Sequence, residues 1–300
     1  MDSKPCANYF EIEEKATKLL EEAERKLKNS KSFFKNLFGF PVEFEQASEL
    51  ANRSANLFKS IKKWEDSGKA FLMSAQLILN NDKYSIEAAS NFVDAYNVFK
   101  RVDVQEAINC LNKAINIYVY LGKFNTAAKC HMNIAEVYDK DALDIDKAIE
   151  NYETASEYYR GDGHTKLSDD CMLKVASLLI QKEEFIKAAS IFEKIGYDRI
   201  NSSMLKYAAR QQLFYAAMCH FRVDVLNAKF AIDRYKKVFP AFEDFRECKF
   251  IEKIVESYEN EDVDTFTNIV REYDNISKLD NVITSMLLHI KKSITYNSLR

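Results

Sequence analysis

Four histidines, six cysteines and 46 acidic side chains are the groups that could carry chemistry in this 300-residue chain. The histidines stand at 131, 164, 220 and 289, the cysteines at 6, 110, 130, 171, 219 and 248. Two of each are adjacent, as Cys130-His131 and Cys219-His220. Neighbours on a helix point about 100° apart, so neither pair closes on a tetrahedral metal without further ligands. No CxxC occurs, and scattered thiols in a chain without an export signal read as reduced and mostly buried. The acid pairs Glu21/Glu22 and Glu183/Glu184 fall at helix starts or polar faces and read as solvated charge. GxxxxGKS/T, GxGxxG after a strand, GxSxG and HExxH are all absent. With neither a phosphate cradle nor a nucleophile–base pair, the residues point away from an enzyme and call for no cofactor and no metal.

Binding surfaces are the alternative, and three stretches qualify. Ser32-Phe33-Phe34-Lys35-Asn36-Leu37-Phe38-Gly39-Phe40-Pro41 ends in Gly and Pro and reads as a loop between two helices. It carries large apolar side chains at Phe33, Phe34, Leu37, Phe38 and Phe40, and Arg25 to Lys35 holds five basic residues and no acid. A basic rim around aromatic tips suits an anionic membrane surface, at about 1 kcal/mol per cation and roughly 1–3 kcal/mol per inserted aromatic. The competing expectation is that these aromatics tuck under the first helical hairpin. The second stretch is a scatter of cations near predicted helix ends: Lys100, Arg101, Lys123, Lys129, Lys174, Lys206 and Arg210. On a shared face they make a stripe for an elongated acidic partner; otherwise they are ordinary solvated side chains. The third runs from Glu243 to Asp264, nine acids against three basic residues. It is either a dock for a basic domain or a polar face.

What must position these groups is helical. Gly is only 6 and Pro only 3, too few for a turn-rich β or α/β fold. Hydrophobic residues make up 47 % and charged residues 30 %, enough apolar material for a core. The net charge of −3 gives no electrostatic case for nucleic acid. No run approaches the ~18 apolar residues of a membrane span, and the N-terminus lacks a signal-peptide core. The expected setting is the cytoplasm. Small residues recur in pairs seven apart, and the pairs recur about every twenty positions: Ser48/Ala55, Gly68/Ala75, Ala88/Ala95, Ala107/Ala114, Ala128/Ala135 and Ala148/Ala155. The pattern continues, blurred, through Ser168/Val175, Ala188/Ile195, Ala209/Ala216 and Ala228/Tyr235. Seven residues is about two helical turns, so each pair lies on one helix face and lets a neighbour approach closely. Twenty residues is one helix plus one turn, which predicts roughly ten helices between 44 and 238 stacked in hairpins. Gly122, Gly161-Asp162-Gly163 and Gly196 are the expected helix stops. Outside the register lie one amphipathic helix over 9–29 and four or so shorter helices over 243–296, joined at Phe239-Pro240-Ala241-Phe242.

The repeat resembles the tetratricopeptide repeat, though its unit is nearer 40 residues than about 34. The expected fold is all-α: a twisted, right-handed superhelical stack of tetratricopeptide-like hairpins over 1–242, with a C-terminal helical bundle over 243–300. Longer strings carry a more specific likeness. Glu21-Glu22-Ala23-Glu24-Arg25-Lys26, Gln105-Glu106-Ala107-Ile108-Asn109-Cys110-Leu111, Leu205-Lys206-Tyr207, Asp224-Val225-Leu226-Asn227-Ala228-Lys229, Phe239-Pro240-Ala241-Phe242 and the final Leu299-Arg300 resemble the soluble NSF attachment proteins, the alpha type in particular. The resemblance implies a cytosolic adaptor, peripherally bound to membranes, that grips the SNARE four-helix bundle and recruits and stimulates the hexameric ATPase NSF, several copies per complex. It implies membrane attachment through Phe33, Phe34, Leu37 and Phe38. It places SNARE contacts at Lys100, Arg101, Lys123, Lys129 and Met204, with Lys174, Lys206 and Arg210 nearby. NSF contacts fall at Asp224, Glu256, Glu259 and Leu299. Asp170 and Asn260 depart from the family, which has a basic and an acidic residue there. The remaining alternatives are another tetratricopeptide-like scaffold, such as a chaperone co-factor or coat subunit, and a simple peripheral membrane protein.

Overall fold

The computed structural model describes residues 4–33, 42–79, 81, 83, 85–140, 144–202 and 205–297. Phe34, Leu37, Phe38, Met204 and Leu299 lie outside them. Among the described residues the chain is helical throughout: α1 (Lys4–Phe33), α2 (Val42–Ser60), α3 (Trp64–Ile78), α4 (Ser85–Phe99), α5 (Val104–Tyr120), α6 (Phe124–Lys140), α7 (Ile145–Gly161), α8 (Thr165–Gln181), α9 (Phe185–Ile200), α10 (Ala209–Val223), α11 (Val225–Val238), α12 (Arg246–Glu259), α13 (Val263–Ile276) and α14 (Asn281–Asn297). They form two compact units, Met1–Ser168 and Asp169–Arg300, with the division inside α8.

The seven-residue pairs explain the packing of each unit. Every member of every pair, from Ser48/Ala55 to Ala228/Tyr235, is buried. Ala16 and Ala23 on α1 extend the same spacing one helix earlier. Where both members of a pair are small, one helix comes close enough to hydrogen-bond its neighbour's backbone. Ser54 Oγ donates to Ala16 O at 2.7 Å and Ser67 Oγ to Ala55 O at 2.8 Å. These contacts also fix direction. Residue 16 meets 54, 26 meets 46, and 55 meets 67, so α1, α2 and α3 alternate up and down. Gly68 belongs to this logic, since a Cβ there would stand 2.6 Å from the Phe99 ring. A polar chain, buried except at its half-buried Asn52 end, crosses α2, α3 and α4: Asn52 Nδ2 donates to Asn91 Oδ1 at 2.8 Å, and Asn91 Nδ2 to Ser74 Oγ at 3.0 Å. Every member is satisfied, as a buried network must be to avoid a desolvation cost.

The helix stops repeat as faithfully. After α2, α5, α7, α8 and α12 the chain turns through one left-handed residue: Lys62, Gly122, Gly163, Glu183 and Glu261. The residue that follows it then donates back five positions, as in Lys123 N to Tyr118 O at 2.8 Å and Glu184 N to Leu179 O at 2.8 Å. This closure satisfies the last carbonyls of each helix. Only two of the five positions carry the glycine that the conformation favours.

Three expectations need correction. Gly196 is no stop: it lies inside α9, buried, where a Cβ would meet the Leu213 side chain at 3.1 Å, so its smallness serves a helix crossing. The first helix is longer than 9–29. Pro5 is tolerated in a first turn, nothing after Asn29 breaks the helix, and Ser32 and Phe33 belong to α1 and not to a loop. After Phe242 the described residues form three α-helices and not four or so, because 281–297 contains no breaker and runs unbroken. The Phe239–Phe242 join is a 3₁₀ turn with Pro240 in its first position.

Candidate functional site

The cations of the first unit stand at helix ends. Lys100 and Arg101 follow α4, while Lys123 precedes α6 and Lys129 lies on its second turn. The 17 residues of α5 separate the two groups, roughly 25 Å at a helical rise. All four are exposed, and among the described residues none has a carboxylate within 4 Å. The Arg101 guanidinium lies 4.7 Å from the Trp64 ring and the Lys100 ammonium 5.2 Å from that of Tyr96. Aromatic faces hold such cations in place without neutralising them. Beside Lys123 and Lys129 sits an aromatic stack that the sequence did not reveal. Tyr158 packs on Phe124 at 5.8 Å and on His131 at 5.7 Å. The three rings are brought together by the α6–α7 pairing across more than 25 residues, so no local spacing marked them. His131 Nδ1 also meets Asn151 Oδ1 at 2.9 Å.

In the second unit the candidate cations are used differently. Lys174 is exposed on α8, one turn after Asp170, and both line a cleft of about 480 Å³ with Phe192, Gln212 and Tyr215. Arg210 is engaged: its Nε lies 3.5 Å from Glu247 Oε1 and its guanidinium 5.5 Å from the Phe245 ring. Lys206, half-buried in a 3₁₀ turn, reaches over the Tyr207 ring at 5.2 Å.

The acidic candidates converge. Asp224 caps α11, accepting from Asn227 N at 2.7 Å and from Asn227 Nδ2 at 2.6 Å. Glu259, at the end of α12, grips Lys229 of α11 with both oxygens, at 2.6 and 2.8 Å. Phe221 packs edge-on against Tyr258 at 5.4 Å and ties the same ends of α10 and α12. Asp224, Glu256 and Glu259 therefore share one end of this unit, where Asp262 caps α13 through Thr265 N at 2.9 Å. The Thr265 side-chain and backbone donors hold the Asp262 carboxyl below its ordinary value. Asn260 ends α12 in the midst of them. Much of the surplus acid from 243 to 264 is spent on ion pairs, Glu247 with Arg210, Glu252 with Lys236 and Glu259 with Lys229. Glu256 is exposed and, among the described residues, has no such partner.

The cysteine–histidine pairs are structural. Cys110, Cys130, Cys171, Cys219 and Cys248 are free and buried. Burial pushes their thiols up to about 11 or 12, far from a reactive thiolate. His220 Nε2 lies 2.9 Å from Glu193 Oε1, which also accepts from Tyr235 Oη at 2.5 Å and pairs with Arg234. Burial would raise the Glu193 carboxyl, but these three partners outweigh it and leave it below the ordinary glutamate value.

Stacked helical hairpins whose conspicuous features are charged and apolar surfaces define an α-helical repeat protein of the protein-binding kind. The comparisons make this specific. The family model for the soluble NSF attachment proteins matches residues 14–295. A soluble NSF attachment protein homolog of fowlpox virus is 54 % identical over 261 residues, covering 87 % of this chain and 94 % of the relative. The mouse alpha-soluble NSF attachment protein is 48 % identical over 279 residues, covering 93 % and 94 %. The vesicular-fusion protein of the yeast Komagataella phaffii is 33 % identical over 254 residues, covering 84 % and 85 %. The chain belongs to the soluble NSF attachment protein family.

Proposed function

We propose that this protein is an adaptor that binds assembled SNARE four-helix bundles and recruits and stimulates NSF, which takes them apart with ATP in the membrane-fusion cycle. The match of the family model along residues 14–295 carries the reading. The adaptor hydrolyses nothing itself. Lys100, Arg101, Lys123, Lys129 and Lys174 supply exposed cations for an acidic helical rod, and Met204 adds an apolar contact. A sign-and-shape reading of that kind tolerates many SNARE sequences. Lys206 and Arg210 are weaker contributors, because their side chains already lie on Tyr207 and Phe245. Asp224, Glu256 and Glu259, gathered at one end of the second unit, with Leu299 beyond them in sequence, face NSF. Phe33, Phe34, Leu37 and Phe38 attach the protein peripherally to the cytosolic face of an anionic membrane. Several copies around one bundle convert weak contacts into firm ones. No described helix is long and apolar enough to cross a membrane.

Purified SNARE complex, NSF and ATP, with and without this protein, provide the test. SNARE disassembly should depend on the protein being added. Disassembly at the same rate in its absence, or none in its presence, overturns the adaptor role.

A further inference from the structure

The acidic end of the second unit surrounds an apolar feature that charge alone does not explain. Helix α11 buries Ala228, Ala231, Ile232 and Tyr235 on its inner face. On the opposite face Leu226 is 59 % and Phe230 69 % exposed. Four residues apart, the two side chains are neighbours on one surface. Val223, also exposed, ends α10 just before them. A solitary exposed leucine is ordinary; three large apolar side chains around one helix start are a patch. The acids frame it. Asp224 caps the helix two residues before Leu226. Glu259 is clamped to Lys229, the residue preceding Phe230. Glu256 stands one turn back on α12, and Asp233 is exposed one turn beyond Phe230.

We propose that Leu226 and Phe230 are the apolar anchor of this docking end, received by an apolar recess on a basic domain of NSF. The inference rests on the adaptor reading and deepens it. An apolar centre inside a charged rim is the usual division of labour in an interface. The rim carboxylates speed encounter and choose the sign of the partner, while the desolvated centre sets how long the complex lasts. Phe230 is 69 % exposed and, among the described residues, stacks on no other ring.

The two roles separate kinetically. Binding of NSF to the full-length protein held on an assembled SNARE bundle should be followed as association and dissociation rates over a series of salt concentrations. With Leu226→Ser and Phe230→Ser, dissociation should accelerate tenfold or more, while the association rate and its salt dependence stay at wild-type values. With Glu256→Gln and Glu259→Gln, association should slow and its salt dependence flatten. Leu226→Met with Phe230→Leu, which keeps the apolar area, should dissociate like wild type. Unchanged dissociation for the serine variant overturns the anchor and leaves the adaptor reading standing, as does equally fast dissociation for the apolar variant. A wild-type protein that binds no NSF at any salt concentration overturns the adaptor reading and the anchor with it.

Discussion

Single side chains decide how closely the helices approach, and Gly68 is the sharpest case. A methyl group there would stand 2.6 to 2.8 Å from three ring atoms of Phe99, itself buried. Gly68→Ala gains about 1 kcal/mol in helix propensity but must displace a confined ring, at about 1–3 kcal/mol for overpacking. The net expectation is a loss of about 1 kcal/mol, read as a lower urea midpoint with an unchanged slope. A midpoint at or above that of wild type would mean that the ring yields freely. Gly68 was legible in the sequence as half of a seven-residue pair, although its particular opponent was not. Gly196 was not legible as a crossing, because a glycine after an aliphatic run looks like a stop when its neighbour across the crossing, Leu213, is seventeen positions away. Leu226 and Phe230 escaped for the opposite reason. An apolar residue on the polar face of an amphipathic period registers as noise until the structure shows which face is solvent.

Helices were the most legible level. Small residues at fixed spacing report packing directly, and the turns recur at the same period, so roughly ten helices between 44 and 238 follow from composition and register, against ten α-helices among the described residues from Val42 to Val238. What the period cannot show is which polar groups meet across helices. Glu193 of α9 joins His220 of α10 with Tyr235 and Arg234 of α11, and nothing local in the sequence announces the cluster. Its carboxyl, held below the ordinary value near 4.5, contributes stability in full above that ordinary value. The contribution is lost as pH falls through the lower, folded-state value, where the carboxyl is protonated in both states. Glu193→Gln should therefore destabilise the protein by about 2–3 kcal/mol at neutral pH, the range for a charged hydrogen-bonded group. The difference from wild type should shrink in acid below pH 4.5. A difference that stayed constant from neutral pH into acid would mean that the cluster acts by shape and not by charge.

At the scale of the whole molecule, the proposed charge contact and the proposed apolar insertion would do different work and can be told apart by assay. In that proposal the cations on the first unit would act through a screened field with a reach of about 10 Å at 0.1 M salt. Lys123→Glu with Lys129→Glu should therefore weaken binding to an assembled SNARE bundle most at low salt, with the two proteins converging as salt rises. An unchanged salt dependence would remove the stripe from the mechanism. Apolar insertion is indifferent to salt and needs a bilayer. If the proposed membrane attachment holds, Phe33→Ser with Phe34→Ser should forfeit roughly 1–3 kcal/mol per aromatic of membrane contact, and what that contact would supply is proximity. A protein held on the surface that carries the SNARE bundle meets it at a raised effective concentration, a gain available only when both are on the same membrane. Disassembly of bundles anchored in anionic liposomes should thus fall tenfold or more in this variant, whereas disassembly of soluble bundles should proceed at the wild-type rate. If both assays lost activity equally, the two phenylalanines would be serving the fold or the bundle contact, and attachment to the membrane would have to come from elsewhere in the chain.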